Sequence, residues 1–417
     1  EAGASATLTL FDQTLVLVQL DRLSELFGYL FHLAALIGFI YAFTLRDRMQ
    51  QVAAMLYAGS ALGAVFAGDL LTLFVFWELL ALTSVFLVLA RRTARAFGAA
   101  MRYLVIQIGS GVLLLAGALV VIAESGDATF TTMTLDGLGP WLIFLAIGVK
   151  CCFPGLHNWL TDAYPESTPA GTVFLSAFTT KVAVYALARA FPGTELLVYI
   201  GATMAMFPIF FAVIENDLRR VLAYSLINQV GFMVVGIGIG TELAINGAVA
   251  HAFNDVIFKG LLFMTMGAVL LRTGRMNGSD LGGLYKSMPW TTGFCIVGAA
   301  SISAFPLFSG FVSKSMVMVA ALEEHHEIVW LALLFASAGV FHHAGIKIPY
   351  FAFYAHDSGL RCREAPLSML LAMGLAFGAK ERLTGIALND IGPELDPKGL
   401  TYIMGYLGKR PAARTHE

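Results

Sequence analysis

The sequence predicts an all-α polytopic membrane protein with about twelve transmembrane helices. Of its 417 residues, 58% are hydrophobic and 13% are charged, and the mean hydropathy is +0.76. A soluble domain carries about a quarter charged residues, so this chain has too little polar surface for a water-soluble globule. Runs of roughly 20 apolar residues, enough to cross about 30 Å of hydrocarbon, recur from end to end. The bilayer is therefore its solvent.

Apolar runs bounded by charges or by Pro and Gly clusters define the candidate spans. They lie near residues 24–45, 50–67, 70–90, 103–123, 140–156, 169–190, 196–214, 219–239, 246–271, 290–318, 327–355 and 365–377. The connections between them are short, and none resembles a soluble domain. Residues 24–377 therefore form one membrane domain, between an N-terminal segment at 1–23 and a C-terminal segment at 378–417.

The two ends of the chain depart from this pattern. Glu1 opens a polar stretch without a basic region, so no signal peptide is expected, and the missing initiator Met indicates a longer precursor. The last apolar run ends after Phe377, about a dozen residues in, which is too short to cross a bilayer unaided. Either the last helix is interrupted there or residues are missing from the numbering. Residues 378–417 are then a tail or part of an incomplete helix.

The charges of the connections predict the orientation of the chain. The positive-inside rule requires consecutive short connections to alternate between basic and non-basic. Arginines follow the first and third spans, Asp69 follows the second span and Glu124 the fourth, and the alternation resumes from Arg219 onward. Residues 1–23 are therefore expected outside, with the basic connections facing the cytoplasm or its equivalent. The connection at 157–168 is the exception, because it lacks Lys and Arg where the rule requires them.

Composition excludes several kinds of site. The four cysteines, Cys151, Cys152, Cys295 and Cys362, form no CxxC pair and no repeated spacing. Neither a disulfide framework nor an iron–sulfur or zinc site is expected from them, and they are interpreted as small apolar fillers. No histidines are paired at haem spacing, so no cofactor is expected. The net charge of −2 indicates no nucleic-acid partner.

Ionisable residues occur where hydrocarbon should surround them. Glu78, Lys150, Lys181, Lys259 and Lys314 all lie within apolar runs. Each costs about 2.5–3.5 kcal/mol on insertion scales, so its presence needs an explanation. A lone lysine often extends its side chain to the membrane surface instead. Five such residues, several far from the ends of their spans, favour a function inside the membrane.

Proton transfer is the chemistry that such residues support. Burial in an apolar medium disfavours the charged forms of lysine and glutamate and brings their titration towards physiological pH. A glutamate close to a lysine keeps the lysine protonated, and moving the glutamate away releases the proton. A Glu/Lys pair whose separation changes is therefore a proton switch, and a file of Lys and His residues is a relay.

Two of the lysines lie beside helix breakers. Pro154 follows Lys150 by four positions, and its ring is incompatible with a regular helix around the carbonyl of residue 150. Pro306 and Gly310 similarly precede Lys314. Proline kinks without function are common in membrane helices. Interrupted helices in two separate parts of a chain, each next to a lysine, nevertheless indicate a transport site built from repeated halves.

A further polar stripe lies in the span at 246–271. His251, Asp255 and Lys259 follow one another at intervals of four residues, which places them on one helix face over about 12 Å. A metal site is disfavoured, because two ligands are too few and the next residue is a cation. We expect the three residues to form one connected polar track.

Five stretches together carry a family resemblance. They are DLLTLFVFWELLALTS (69–84), VKCCFPGLHNWLTDAYPESTPAGTVFLSAFTTKVAVYALAR (149–189), ENDLRRVLAYSLINQVGFMVVG (215–236), HAFNDVIFKGLLFM (251–264) and FPLFSGFVSKSMV (305–317). The chain resembles the antiporter-like subunits shared by respiratory complex I, membrane-bound hydrogenases and Mrp-type sodium/proton antiporters. The stretches follow the family order, and the phrases LHNWLTDAYPESTPAG and SLINQVGF look most similar to the Mrp D-type or the middle complex I subunit.

The resemblance implies a role for each buried ionisable residue. In the first half, Glu78 resembles the glutamate of the family's fifth helix, Lys150 the lysine of its broken seventh helix and Lys181 the lysine of its eighth. These positions imply that Glu78 modulates Lys150 and that Lys181 leads to the second half.

In the second half, His251 and Lys259 resemble the family's central histidine and lysine on the eleventh helix, and Lys314 its twelfth-helix residue near the exit. Asp255 stands where many members have a second histidine. The first two of the usual fourteen helices are absent, so 24–45 corresponds to the third. No long lateral helix follows the last span, unlike the terminal complex I subunit.

The resemblance implies two inverted five-helix repeats with broken helices, at roughly 50–190 and 196–355. It implies a proton-translocating subunit of a multisubunit energy-converting complex, in a bilayer expected to be a bacterial inner membrane. Its partners would be other membrane subunits, lipid and protons, with sodium left open, and it would hold no redox site of its own. The alternative is a structural scaffold subunit that no longer conducts.

Overall fold

The computed structural model of the protein describes residues 5–10 and 13–390, and it confirms the predicted all-α polytopic class. The helices are α1 (Arg22–Ala42), α2 (Arg48–Phe66), α3 (Leu70–Leu89), α4 (Ala94–Ser125), α5 (Leu138–Cys151), α6 (Asn158–Glu166), α7 (Pro169–Ala177), α8 (Thr179–Ala190), α9 (Glu195–Ile214), α10 (Leu218–Ile239), α11 (Glu242–Thr273), α12 (Pro289–Ile302), α13 (Ser309–Glu323), α14 (Glu327–Val340) and α15 (Leu367–Asp390). Helix α14 continues as a π-helical segment (Phe341–Ile346), a single turn (Lys347–Pro349) and a second π-helical segment (Tyr350–Tyr354). A hairpin of β1 (Ser5–Leu10) and β2 (Gln13–Gln19) precedes the helices.

Each of the twelve predicted spans coincides with one or two helices of the structure. By length and composition, nine spans in the described part of the chain are long and apolar enough to cross a membrane, with α7 and α8 counted as one. Helix α5 and the segment Leu367–Ala379 of α15 are shorter apolar helices. Helices α12 and α13 are the two parts of the predicted span at 290–318. The burial pattern places α7, α8 and α10 at the centre, since 100% of the α7–α8 window and 89% of the α10 window are buried.

The N-terminal hairpin is a feature that the sequence did not predict. Strand β1 pairs antiparallel with β2, and β2 lies against the connection between α2 and α3. The Gly68 N–H donates to the Val16 carbonyl at 2.9 Å, and the Val16 N–H donates to Asp69 Oδ2 at 2.7 Å. Asp69 also caps α3 through the Thr72 N–H. The hairpin therefore lies at the end of the bundle that contains the connection between α2 and α3. This is the non-basic side, on which the sequence places residues 1–23.

Parallel features support two inverted repeats. Helices α4 and α11 each have 32 residues. Asp69 caps α3 and forms a β-bridge with Thr129, and Asp217 caps α10 and forms one with Asn277. The positive-inside rule places these two caps on opposite sides of the membrane, because Asp69 lies in a non-basic connection and Asp217 next to arginines. The repeat boundaries themselves stay a prediction.

The last helix does not end where hydropathy predicted. Helix α15 continues past Phe377 to Asp390, and it packs against α1 and α11. The polar residues that follow Phe377 lower the hydropathy without breaking the helix, since none of them is proline. Residues 391–417 of the predicted tail lie outside the described residues.

A buried arginine attaches the connection between α6 and α7 to the first turn of α10. Arg219 is 0% exposed, and its guanidinium donates to the carbonyl oxygens of Pro165 at 2.9 Å, Ser167 at 3.0 Å and Thr168 at 3.1 Å. It also donates to the Thr172 hydroxyl. A planar guanidinium with several donors suits this set of converging carbonyls better than a lysine would.

The same region explains the connection that lacked basic residues. Glu166, at the end of the 157–168 connection, lies 2.8 Å from Arg95 Nε, 3.7 Å from Arg91 and 3.8 Å from Arg220. The neighbouring connections therefore supply positive charge to a segment that has none of its own. The 157–168 connection is an exception to the positive-inside rule only when its own residues are counted without the arginines that surround it.

We expect Arg219→Ala to lower the free energy of unfolding by about 3 kcal/mol or more, because several buried carbonyls lose their donor. The matched control is Arg220→Ala, whose partners lie at 3.8 Å and whose loss should cost about 1 kcal/mol or less. Unfolding in lipid–detergent micelles measures both values. Equal losses for the two variants would contradict an anchoring role for Arg219.

Candidate functional site

Six of the ionisable residues singled out from the sequence are buried in the interior of the bundle and are at most 1% exposed. They are Lys150, Lys181, His251, Asp255, Lys259 and Lys314. They lie on α5, α8, α11 and α13, which belong to both predicted repeats. Hydrocarbon and apolar side chains cannot solvate a charge, so each of these groups depends on polar partners supplied by other helices.

Lys150 lies at the first helix interruption. Helix α5 ends at Cys151, and the backbone is non-helical from there to Asn158, where α6 begins. Pro154 lies in this interval, and Cys152 adopts a left-handed conformation with φ of 65°. Lys150 Nζ donates to the Trp77 carbonyl at 2.7 Å and lies 4.4 Å from the centre of the Trp77 ring. A carbonyl dipole and a π face together stabilise the ammonium.

Glu78 is the neighbour of Trp77 on α3, yet its carboxylate points elsewhere. Oε1 lies against Gly111 of α4, at the place where a Cβ atom on residue 111 would be. Among the described residues, this oxygen accepts no hydrogen bond, and no ion pair within 4 Å joins Glu78 to Lys150. The two groups still interact electrostatically. The predicted pair is therefore present in a separated arrangement, with glycine providing the space for the carboxylate.

Lys181 and Asp255 form a buried ion pair between α8 and α11. Lys181 Nζ lies 2.5 Å from Asp255 Oδ2, and both side chains are 0% exposed. In the described part of the chain, neither Asp255 oxygen accepts a hydrogen bond of regular geometry, so the ammonium is the group that compensates its charge. This contact joins the two predicted repeats at their centre.

The helix that carries Lys181 is interrupted at Phe178, which the sequence did not predict. The Thr179 N–H donates to the Tyr57 hydroxyl at 3.0 Å, and the Leu175 carbonyl accepts from the Tyr164 hydroxyl at 2.8 Å. Lys181 Nζ in turn donates to the Ser176 carbonyl at 3.2 Å. Side chains therefore take the place of helical hydrogen bonds. No Pro or Gly occurs at the interruption, so no local signal could have revealed it.

The predicted track along α11 takes a different form. His251, Asp255 and Lys259 share one helix face, but the described residues include no hydrogen bond or ion pair between any two of them. Asp255 turns to Lys181, and Lys259 Nζ donates to the Ser225 hydroxyl of α10 at 2.8 Å. Each of the three side chains therefore has a partner on a neighbouring helix, and a connected track through water stays a prediction.

His251 connects α11 to α10 and α13. Its Nδ1 lies 2.9 Å from the Ser313 hydroxyl, and its Nε2 lies 3.1 Å from Gln229 Oε1. A neutral imidazole protonated on Nε2 satisfies both contacts, donating to the amide oxygen and accepting from the hydroxyl. Gln229 Nε2 then donates to Asn228 Oδ1 at 2.6 Å. Histidine is therefore one member of a neutral hydrogen-bonded network.

Lys314 lies at the second interruption. Helix α12 ends at Ile302 and α13 begins at Ser309, with Pro306 between them. Lys314 Nζ donates to the Ile302 carbonyl at 2.8 Å and lies 5.0 Å from the Phe232 ring centre. Gly310 lies in the first turn of α13, where a Cβ atom would overlap the Ser301 carbonyl. The two halves of the helix meet closely enough that only glycine fits at this position.

Sequence reasoning missed the neutral members of the site. Ser225, Asn228, Gln229 and Ser313 are at most 1% exposed and bind the ionisable residues or one another. A signal existed: the run from Ser225 to Gln229 places three polar residues within an otherwise apolar span. Neutral polar side chains cost less in a membrane than charges do, so they stand out less in a hydropathy profile.

The fold and the site define a polytopic helical membrane protein with buried ionisable residues placed at interrupted helices, the arrangement typical of secondary ion transport. The chain belongs to the family of NADH:quinone oxidoreductase and Mrp antiporter transmembrane subunits, whose model matches residues 67–377.

Similar proteins support this assignment. The chain is 32% identical over 316 residues to the D-type subunit of the Na(+)/H(+) antiporter of Alkalihalophilus pseudofirmus, and the match covers 71% of this chain and 64% of that protein. It is 32% identical over 290 residues to the N-type subunit of the NADH-quinone oxidoreductase of Desulforudis audaxviator, covering 64% of this chain and 58% of that protein. The chain therefore spans less than two thirds of each relative's length.

Solved structures share the fold. A chain of the Mrp complex from Dietzia sp. DQ12-45-1b superposes with a TM-score of 0.82 at 22% identity, covering 95% of this chain and 86% of that chain. A chain of respiratory complex I from Thermus thermophilus gives a TM-score of 0.83 at 20% identity, covering 93% and 87%.

We expect Asp255→Asn to destabilise the protein by about 3–5 kcal/mol, because it leaves Lys181 buried without a counter-charge. The double variant Lys181→Met with Asp255→Leu should recover most of this loss, since it removes both desolvated charges together. Free energies of unfolding for the single and double variants give the coupling energy.

The exposed pair Arg102–Asp162, with Nε 2.7 Å from Oδ2, provides the control cycle and should show a much smaller coupling energy. Similar coupling energies in the two cycles would show that burial adds nothing to the Lys181–Asp255 pair.

Proposed function

We propose that this chain is a proton-translocating, antiporter-like subunit of a multisubunit energy-converting membrane complex. The observation that carries the proposal is the set of almost fully buried ionisable side chains that runs through both halves of the bundle. Such groups are costly in a membrane, and a chain that only needs to fold would do better with apolar residues at these positions.

In the first half, Glu78 and Lys150 act as the switch. The carboxylate occupies the space beside Gly111, while the Trp77 carbonyl holds the ammonium. Movement of Glu78 towards Lys150 adds a negative charge that retains a proton on the lysine, and movement back towards α4 releases it. The separated arrangement corresponds to the releasing state.

At the centre, the Lys181–Asp255 pair controls transfer between the halves. A proton that leaves Lys150 reaches a lysine already held by a carboxylate 2.5 Å away. As long as the pair is closed, Asp255 retains the positive charge on Lys181 and the second half receives no proton. Opening the pair frees the negative charge of Asp255 to act on Lys259, with which it also interacts electrostatically.

In the second half, His251, Lys259 and Lys314 pass the proton towards the exit. Each is held by a hydroxyl or carbonyl oxygen rather than by a carboxylate, so none is fixed by a strong ion pair. Weakly held donors exchange protons more readily, directly or through single water molecules. The interruption between α12 and α13 supplies the carbonyl that receives the ammonium of Lys314.

Partner subunits must supply the driving force. The relatives are named as antiporter and quinone oxidoreductase subunits, so electron transfer elsewhere in the complex or exchange of sodium would drive the switch. We further propose that the complex lies in a bacterial inner membrane, with the basic connections on the cytoplasmic side. Under this proposal, the protein contributes the proton path and its partners contribute the energy.

The alternative is a scaffold subunit that holds its partners in the membrane without conducting protons. A scaffold has no need of separate Glu78 and Lys150 side chains, each of which costs about 2.5–3.5 kcal/mol in the membrane. Retention of the whole set in both halves favours conduction.

We expect Glu78→Gln and Lys150→Ala each to lower proton flux by about 100-fold in vesicles reconstituted with the assembled complex, because each removes a charge from the switch. Assembly should remain intact, as checked by co-purification of the partner subunits.

The matched control is Glu124→Gln, which removes a carboxylate from an exposed position at the end of α4 and should leave the flux unchanged. Normal flux in both switch variants would instead support the scaffold.

A further inference from the structure

A second buried histidine lies near the lysines without any assigned role. His343 is 0% exposed, and neither ring nitrogen forms a hydrogen bond of regular geometry within the described residues. The Gly339 carbonyl, one turn earlier on α14, is the backbone group that faces the ring. A buried imidazole without a partner is costly, because both of its nitrogens are polar.

The surroundings of His343 belong to the second half of the site. The imidazole interacts electrostatically with Lys259 and with Lys314. Its π-helical segment packs against α12, and a Cβ atom on Gly345 would overlap the Ser303 hydroxyl in the α12–α13 interruption. Lys314 binds the Ile302 carbonyl at the edge of this same interruption, so the segment that carries His343 packs beside the region that holds Lys314. Short π-helical segments within longer helices often mark functional positions.

The residue before His343 faces an open cavity. A cavity of about 600 Å³ is lined by Glu215, Ser279, His342 and Lys347, among others. Glu215 and Ser279 belong to connections that carry arginines, so the cavity opens on the side that the positive-inside rule assigns to the cytoplasm. Consecutive residues of one π-helical segment therefore place one imidazole in the interior of the bundle and another at this cavity.

The cavity has a fixed polar wall. Lys347 Nζ donates to the carbonyl oxygens of Val213 at 2.8 Å and Glu215 at 2.5 Å, which holds it at the end of α9. Asn216 Nδ2 donates to the Ser279 hydroxyl at 3.0 Å and joins the two connections that form the rim. These polar groups form one side of the cavity, whose lining also includes Val213, Ile214 and Phe351.

We propose that His343 is an additional proton-relay residue, which connects Lys259 and Lys314 to the bulk through the cavity lined by His342. The inference rests on the proposed proton-translocating function. It adds a path for protons between the buried lysines and the cavity, through the π-helical segment that continues α14. A neutral imidazole can accept a proton on one nitrogen and donate one from the other, so it can pass a proton between groups on its two sides.

The first test replaces the imidazole in the assembled complex. His343→Asn should lower proton flux in reconstituted vesicles by about tenfold or more, since asparagine keeps polarity and cannot transfer protons. The matched control is His325→Asn, at an exposed position with φ of 60° that asparagine tolerates. In His343→Ala, added imidazole should restore flux, which a purely structural role would not allow.

Lys150→Ala, measured in the same preparations, separates this inference from the proposed function. If Lys150→Ala is inactive and His343→Asn conducts like the unaltered protein, the relay role of His343 is wrong and the proposed function stands. If Lys150→Ala also conducts like the unaltered protein, both the relay role of His343 and the proposed function are wrong. Loss of flux in His343→Ala that imidazole does not restore would also overturn the relay role.

The second test leaves His343 in place and blocks the cavity. In a Cys362→Ser background, Ser279→Cys is labelled with a bulky membrane-impermeant maleimide added on the side of the basic connections. Labelling should lower proton flux several-fold, whereas labelling Arg363→Cys, an exposed position on the same side outside the cavity, should not. Unchanged flux after complete labelling of Ser279→Cys would exclude the cavity as the route.

Discussion

The interior of this bundle depends on one constraint: a charged side chain in the membrane must find its polar partner within the protein. The helix interruptions provide backbone carbonyl groups as such partners. Lys181 donates to a carbonyl at the interruption around Phe178, and Lys314 donates to the carbonyl that ends α12. Regular helices use up their own carbonyls, so an interruption is the place where a backbone oxygen becomes free for an ammonium group. This reason applies to Lys181 and Lys314, whereas Lys150 binds the Trp77 carbonyl within the continuous helix α3.

The buried lysines have different polar partners in the two halves of the bundle. In the first half a carboxylate of α3 rests beside a glycine of α4, and its lysine partner is held by a carbonyl and a tryptophan ring. In the second half, Lys259 of α11 donates a hydrogen bond to the Ser225 hydroxyl of α10. Between them lies the Lys181–Asp255 pair, in which both side chains of an ion pair are 0% exposed. In this structure the central pair is therefore closed, while Glu78 and Lys150 in the first half are separated.

Charged residues at the ends of the helices hold the helices next to the proposed path in position. Arg219 attaches the connection after α6 to α10, and Glu166 in that connection is surrounded by Arg91, Arg95 and Arg220. Because α6 follows directly from the first interruption, this anchor also fixes the position of the segment that leads from Lys150 to α6. The proposed switch therefore operates beside a segment that is attached to α10.

The sequence by itself determined the helical membrane fold, the approximate positions of its helices, the interruptions next to Lys150 and Lys314, and the identity of the ionisable residues. These follow from hydropathy, from proline and from charge, which are properties read along the chain. The tertiary structure alone decided that Asp255 pairs with Lys181 rather than with its neighbours on α11, that α7 and α8 separate at Phe178, and that His343 is fully buried. Each of these depends on which helices lie side by side, and spacing within one helix carries no information about its neighbours.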